Sequence, residues 1–424
     1  GIPARYRREL RLPASRPGVA VPAELRDLPV LDALAAGAAA TTIAQSDTGK
    51  HAVLDVAIDP SDSAIVYTLQ LERPDDETGT PGIASVDLAK RAWRWQRADA
   101  CGTGEAVGFA VARDVIACAT RTRTTPSATV RATTRAGVAS WEWEGDHVDH
   151  VAAAGDVVLV HDADRLLVLA ATTGALRGRI TSDDGARVRA AAVAVGATTF
   201  VVSSEGGRIV ARVSTGMLPV WSIAVDGVVE SIAASAQGVL VALADGDAYR
   251  IELPSGVVHP LPGLNLTWRA AGELIAAHTS GGPIPGAPLP RPAPPRGRVS
   301  RRPVVELDPE RPRTWAPIPM PAPLGDSWQL TLYELTGGLR ARNDYGLFPP
   351  IAPARERGPA GSPLVVASSP GLREVLVIDA RQGNPLRRVQ LAEDASPGLV
   401  FGTIVDGTPV AGAVLQAPLR VVVF

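Results

Sequence analysis

RLLVLAATTGALRGRI, Arg165–Ile180, is an apolar run, a Thr-Gly turn and a second run that returns along the first. A short run this rich in Leu and Val reads as a strand buried on both faces. The turn glycine supplies the positive φ that a tight reversal needs. The phrase recurs about every forty residues, a period that marks a solenoid, propeller or array. IVARVSTGMLPVWSIAV occupies Ile209–Val225, YRIELPSGVVHPLP occupies Tyr249–Pro262 and VLVIDARQGNPLRRVQL occupies Val375–Leu391. Gly174, Gly216, Gly256 and Gly383 hold equivalent places in these four copies. Looser copies begin at Ile83, Val130 and Val304, and Trp93, Trp95, Trp141, Trp143, Trp221 and Trp315 fall in or beside their second strands.

Two more strands precede most copies. HVAAAG and DVVLVHD stand before Arg165, and AAAVAVG and TTFVVSS stand before Ile209. Each unit is therefore a four-stranded antiparallel meander, and an all-strand unit selects the β-propeller. Seven complete units fit between about His51 and Ala392. The tail adds LVFGTIV, PVAGAV and LRVVVF but lacks a fourth strand, which ATTIAQS at 40–46 is placed to provide. That pairing removes the last open sheet edge. The expected fold is all-β: a propeller of eight four-stranded antiparallel blades closed by an N-terminal strand, with seven blades as the runner-up. Residues 1–39 form an arm with one short helix, LPVLDALAAGA, and residues 40–424 form a single propeller domain with Pro-rich insertions at about 280–303 and 335–361.

A strand, Asp or Ala, then Thr-Gly or Ser-Gly, then a strand ending in Trp or an apolar pair resembles the PQQ-like propeller repeat. That superfamily includes the quinoprotein alcohol dehydrogenases and the outer-membrane assembly lipoprotein. The resemblance covers nearly the whole chain in divergent copies. It implies a bacterial protein and leans towards a periplasmic or other extracytoplasmic location. In the quinoprotein members the cofactor lies on the axis, stacked on a Trp and against a vicinal disulfide. Calcium held by Glu, Asn and Asp polarises it, and an Asp acts as base. Cys101 and Cys118 are not adjacent here, and the long excursions that frame such a site are missing, so no cofactor is expected.

These two cysteines also bear on compartment. A hairpin turning at Arg113 and Asp114 puts Cys118 opposite Phe109, with Cys101 further back in the chain. A bridge requires Cα atoms within about 7 Å, so the chain would have to fold back; bridged and free cysteines both remain open. The net charge of -2 gives no global field for nucleic acid or an anionic membrane. No run of about 18 apolar residues marks a transmembrane segment.

A polar cluster stands out in DHVDH, Asp146–His150, and HDAD, His161–Asp164. Both segments map to one rim, where Asp146, His150, His161 and Asp164 could approach one another as ligands for zinc or another transition metal. The alternative is that they are polar residues of exposed turns, where Asp satisfies backbone donors. No serine-nucleophile elbow, zinc-protease helix or EF-hand loop is present, and Gly49-Lys50 lacks the upstream glycine of a phosphate loop. No catalytic residue, cofactor or resident metal is assigned.

Function in a repeat protein is carried by what interrupts the repeat. SGGPIPGAPLPRPAPPRGRVSRRP, Ser280–Pro303, leaves between the second and third strands of the sixth blade. Its prolines favour stiff polyproline II, and it holds Arg291, Arg296, Arg298, Arg301 and Arg302 without an acid. A second excursion, Leu335–Gly361, contains Tyr345 and Phe348, and an acidic one runs from Glu72 to Gly82. Arg and aromatic residues dominate interface energetics, so these five arginines with Tyr345 and Phe348 are the candidate partner contacts. The reading is a non-catalytic platform for another protein or a multiprotein complex. Nucleic acid does not fit arginines without interleaved aromatics. An enzyme with a quinone or metal site in the axial funnel is the alternative, and an extracellular carbohydrate-binding propeller is a further one.

Overall fold

A computed structural model describes residues 9–11, 41–45, 50–73, 80–122 and 127–261, apart from turn residues at 163, 183–184, 236–237 and 245–246. Beyond these it describes the strands of the sixth to eighth sheets and residues 419–424. The expected arm helix, the looser copy at Val304 and Trp315 lie outside the described residues. The described strands form eight sheets, seven of four strands and one of five. The chain is a β-propeller.

Sheets are numbered here in chain order. The third shows the pattern: His150–Ala154, Val157–Asp162, Arg165–Ala170 and Leu176–Thr181 pair antiparallel in sequence. Its two middle strands, VVLVHD and RLLVLA, are buried almost throughout, whereas LRGRIT at the outer edge is mostly exposed or half-buried. Strands covered on both sides read as continuous apolar runs, and edge strands alternate. The first strands touch in a ring. Lys50–Ile58 meets Glu105–Val111, then His150–Ala154, Ala190–Val195, Val229–Ser235, Thr267–Ala271, Phe348–Pro353 and Pro397–Val405, which returns to Lys50–Ile58.

The closing contact joins distant parts of the chain. Thr41–Gln45 pairs antiparallel with Arg420–Val423, so the eighth sheet takes three strands from residues 397–423 and one from 41–45. Ala44, Val421 and Val414 of that sheet pack with Val66 and Val86 of the first in one buried cluster. Trp93 of the first sheet donates its Nε1–H to the Gln45 carbonyl at 3.0 Å. Ser63 and Thr403 exchange two more hydrogen bonds across the same junction, Ser63 Oγ to the Ile404 carbonyl and Thr403 Oγ1 to the Ser63 carbonyl.

Neighbouring sheets are locked by one repeated device. Trp95, in the outer strand of the first sheet, donates to the Arg135 carbonyl at 2.9 Å, in the last turn of the second. Trp141 does the same from the second sheet to the Ala171 carbonyl of the third at 2.7 Å. Each indole lies against the turn glycine: a Cβ on Gly137 would sit 2.9 Å from Trp95, and one on Gly174 would sit 2.8 Å from Trp141. At the next junction the sizes are exchanged. Gly178 stands where the previous sheet has Trp141, and Met217, with a φ of 53°, fills the space from the fourth sheet.

The structure closes one question the sequence left open and changes two of its expectations. Cys101 and Cys118 are bridged, with Cα atoms 5.3 Å apart, because the connection from the first sheet to the second folds back over the second strand. The 335–361 segment is not one excursion: Leu339–Asp344 is the outer strand of the sixth sheet and Phe348–Pro353 the first strand of the seventh. Its prolines disguise the second of these, since Pro weakens a strand reading everywhere but at edges and bulges. Glu9–Arg11 of the arm is a strand, added in parallel to Leu218–Ala224 at the outside of the fourth sheet.

Two measurements probe these links. The Cys118→Ala variant, which cannot form the bridge, should lose about 3 kcal/mol of stability, read as a lowered urea midpoint that reductant reproduces in the native protein. Gly174→Ala should cost about 2–4 kcal/mol, against about 1 kcal/mol for Gly185→Ala. Both glycines have positive φ, 69° and 70°, but only Gly174 has a ring against it. Equal losses would show that backbone strain, not the indole contact, governs the turn.

Candidate interaction face

The two faces of the disc differ in what they carry. One, the turn face, holds the Thr-Gly reversals and the links from first to second strands. The other, the loop face, holds the links from second to third strands and the crossings between sheets. Strand direction puts Arg73 and Thr80 of the first sheet, and Pro283 and Asp326 of the sixth, on the loop face, because they end the second strand of their sheet and begin the third; residues 74–79 and 284–325 between them lie outside the described residues. In the sixth sheet Leu274–Pro283 pairs with Asp326–Glu334 along most of its length. Arg291, Arg296, Arg298, Arg301 and Arg302 lie outside the described residues, as does Tyr345. Phe348 opens the first strand of the seventh sheet, opposite Ser368.

The histidine cluster lies on this loop face, at the third sheet. His150 and His161 are directly paired across the first two strands, with ring centroids 5.8 Å apart. Asp146 and Asp164 do not join them. Among the described residues no three His, Cys, Asp or Glu side chains gather closely enough to hold a metal ion. Asp164 faces Arg165 instead, 4.0 Å away, and Arg165 also binds Asp162 at 2.6 Å.

Arg187, unremarked in the sequence, completes the cluster. It comes from the crossing between the third and fourth sheets and binds Asp149 at 3.0 Å, while His147 binds the other Asp149 oxygen at 2.7 Å. The motif DDGARVRA, just before the fourth sheet, was the available signal. His161 is 7% exposed. Burial pushes its pKa down to about 4, with His150, Arg187 and Arg189 adding positive charge nearby. Burial of its ring, then Arg187, also holds His150 below the ordinary value. Both imidazoles are neutral at pH 7 and can donate and accept hydrogen bonds.

The turn face is quieter and structural. Asp59 accepts from the Tyr67 hydroxyl at 2.9 Å and pairs with Arg135 of the second sheet at 3.1 Å. Burial first, and then the Asp59 carboxylate, keep Tyr67 protonated. Asp156 repeats the arrangement between the third and fourth sheets, with Arg177 at 2.5 Å and the Ser214 hydroxyl at 3.0 Å. Burial alone would raise the Asp156 pKa, but hydrogen bonds from Thr199, Arg177 and Ser214 hold it below the usual value. These acids bolt sheet to sheet and are committed to that task. No helix among the described residues is long and apolar enough to cross a membrane.

No family model and no curated protein matches the chain. Among solved structures it is similar to BamB from Moraxella catarrhalis, at 13% identity over 91% of this chain and 100% of that one, with a TM-score of 0.49. It is also similar to the β-propeller domain of Cps50 (Swd1) from Myceliophteria thermophila, at 9% identity over 91% and 98% of the two chains, TM-score 0.46. The Pan2 WD40 domain of Neurospora crassa aligns at 9% identity over 76% and 89%, TM-score 0.44.

The histidine pair makes stability depend on pH with a definite sign. Above pH 6.5 His161 is neutral whether folded or unfolded, and contributes no pH dependence. Below 6.5 the unfolded chain takes the proton first, so stability falls until the folded site titrates near pH 4. The full loss is about 3 kcal/mol, with His150 adding in the same direction. Urea midpoints measured from pH 7.5 to 4 should fall more steeply in the native protein than in His161→Leu. Parallel curves would show that His161 protonates without cost.

Proposed function

We propose that this propeller is a non-catalytic interaction platform, a subunit of a multiprotein assembly whose eight sheets act as the blades of one rigid disc. Partner contacts come from the Pro/Arg-rich segment at 280–303 on the loop face, with Tyr345 and Phe348 at the adjoining sixth-to-seventh crossing. The observation that carries this reading is the pairing of Leu274–Pro283 with Asp326–Glu334, the two strands between which the Pro/Arg-rich sequence falls. A sequence entered and left from paired strands has both attachment points fixed, and preorganisation of that kind lowers the entropic cost of binding. The acidic stretch at 74–79 falls between the corresponding strands of the first sheet, so the proposed contact sequences carry charges of both signs.

The Cys101–Cys118 bridge supports a working place outside the cytoplasm, since disulfides persist in oxidising compartments. Replacing Arg291, Arg296, Arg298, Arg301 and Arg302 together by Ala tests the platform. The variant should melt as the native protein does and lose a stoichiometric partner that the native protein retains on affinity purification from its source. Retention of the same partner by the variant would remove the arginines from the interface. A protein that purifies alone, with a chromophore, would replace the platform by an enzyme.

A further inference from the structure

His150 opens the first strand of the third sheet, and His161 lies directly opposite it on the second strand. First strands begin at the loop face and stand in the inner ring, so the pair sits at the loop-face end of that ring. The two rings are prepared in different ways. His161 is buried and donates one ring N–H to the Val188 carbonyl. In the neutral ring the other nitrogen then carries the lone pair. An imidazole that binds a metal almost always has its second nitrogen held like this, because the bond fixes tautomer and ring orientation.

His150 is exposed. Its neighbour on the first strand of the second sheet is Gly108, where a Cβ would lie 3.7 Å from His150 Nδ1. Glycine leaves that flank of the ring uncovered. The ring centroids are 5.8 Å apart and the planes are tilted by 41°. With metal–nitrogen bonds of about 2.0–2.1 Å, one ion shared by a nitrogen of each ring holds the centroids about 5–6 Å apart. The spacing already present is the spacing such an ion needs.

Charge around the pair is mixed. Arg187 approaches from the crossing but is bound by Asp149, which His147 also engages. Arg189 adds positive charge near His161. A hard cation held by charge alone gains little in these surroundings. Copper, nickel and zinc bond to imidazole nitrogen itself, and Cu(II) bonds most tightly of the three.

We propose that His150 and His161 form a two-histidine site for a divalent transition-metal ion, with Cu(II) preferred. Among the described residues no third ligand side chain joins them. The ion therefore keeps water in its remaining positions and exchanges freely. The site uses none of the residues assigned to the partner contact, so either reading can fail without the other.

The full chain, stripped with a chelator, is titrated with Cu(II) and with Zn(II) by calorimetry. The one-to-one Cu(II) complex is then examined by electron paramagnetic resonance. One Cu(II) should bind per chain, more tightly than Zn(II), and its spectrum should carry hyperfine splitting from two imidazole nitrogens. His150→Ala should lose at least about tenfold in affinity, since losing even the outer partner of a ligand costs about 10–100-fold. His259→Ala, which removes a half-buried histidine of the fifth sheet, should bind as the native protein does. Equal affinity in His150→Ala would mean an adventitious ion only, and would overturn the site. Failure of the native protein to bind, or a spectrum without the paired nitrogens, would overturn it as well. Because that spectrum is read on the native protein, it decides even if His150→Ala does not fold.

Discussion

The hydrogen bonds between Thr41–Gln45 and Arg420–Val423 are the constraint on which the rest of the structure depends. Apart from Glu9–Arg11, added at the outside of the fourth sheet, the other sheets are built from described strands adjacent in sequence, so this pairing is the one that closes the ring. It also converts a row of sheets into a ring. In a row, the first sheet would expose Val66 and Val86, whereas in the ring they are buried against Val414 and Val421. The polar links of the junction, from Trp93 to Gln45 and between Ser63 and the Thr403–Ile404 segment, fix the register of that contact rather than adding much to its strength.

Around the ring the same problem is solved with different residues. Each sheet must present a flat, close-packed side to its neighbour, and the outer corner is where divergent sheets splay. An indole over a turn glycine fills that corner at two junctions; a thioether over Gly178 fills it at another. Acids at the first-to-second-strand links, buried Asp59 and half-buried Asp156, add a polar bolt at alternate junctions. The disc is therefore held at its rim as well as at its core, which suits a body that must keep its loops in fixed relation.

The repeat was easy to read because buried middle strands such as VVLVHD and RLLVLA leave an unbroken apolar signature, and glycine marks each reversal. The pairing of Phe109 with Cys118 followed from the hairpin alone. Sequence failed where the physics is not local. Whether Cys101 reaches Cys118 depends on a crossing with no periodicity, and Phe348–Pro353 is a strand in spite of its prolines. The four proposed metal ligands share a rim, yet only His150 and His161 fall opposite each other, because Asp146 belongs to a crossing and Asp164 turns towards Arg165. Arg187 was missed for the same reason: it is distant in sequence from the histidines it helps to keep neutral.

Closure by an N-terminal strand has a consequence for synthesis. Each sheet from the first to the seventh can assemble as soon as its four strands have left the ribosome. Thr41–Gln45 emerges before all of them and has no partner until Val423 has been made. Until Val423 has been made the nascent chain thus carries an unpaired strand and an uncovered side of the first sheet, the kind of surface on which aggregation begins. A protein built this way should depend on holding chaperones for longer than its repeat architecture suggests.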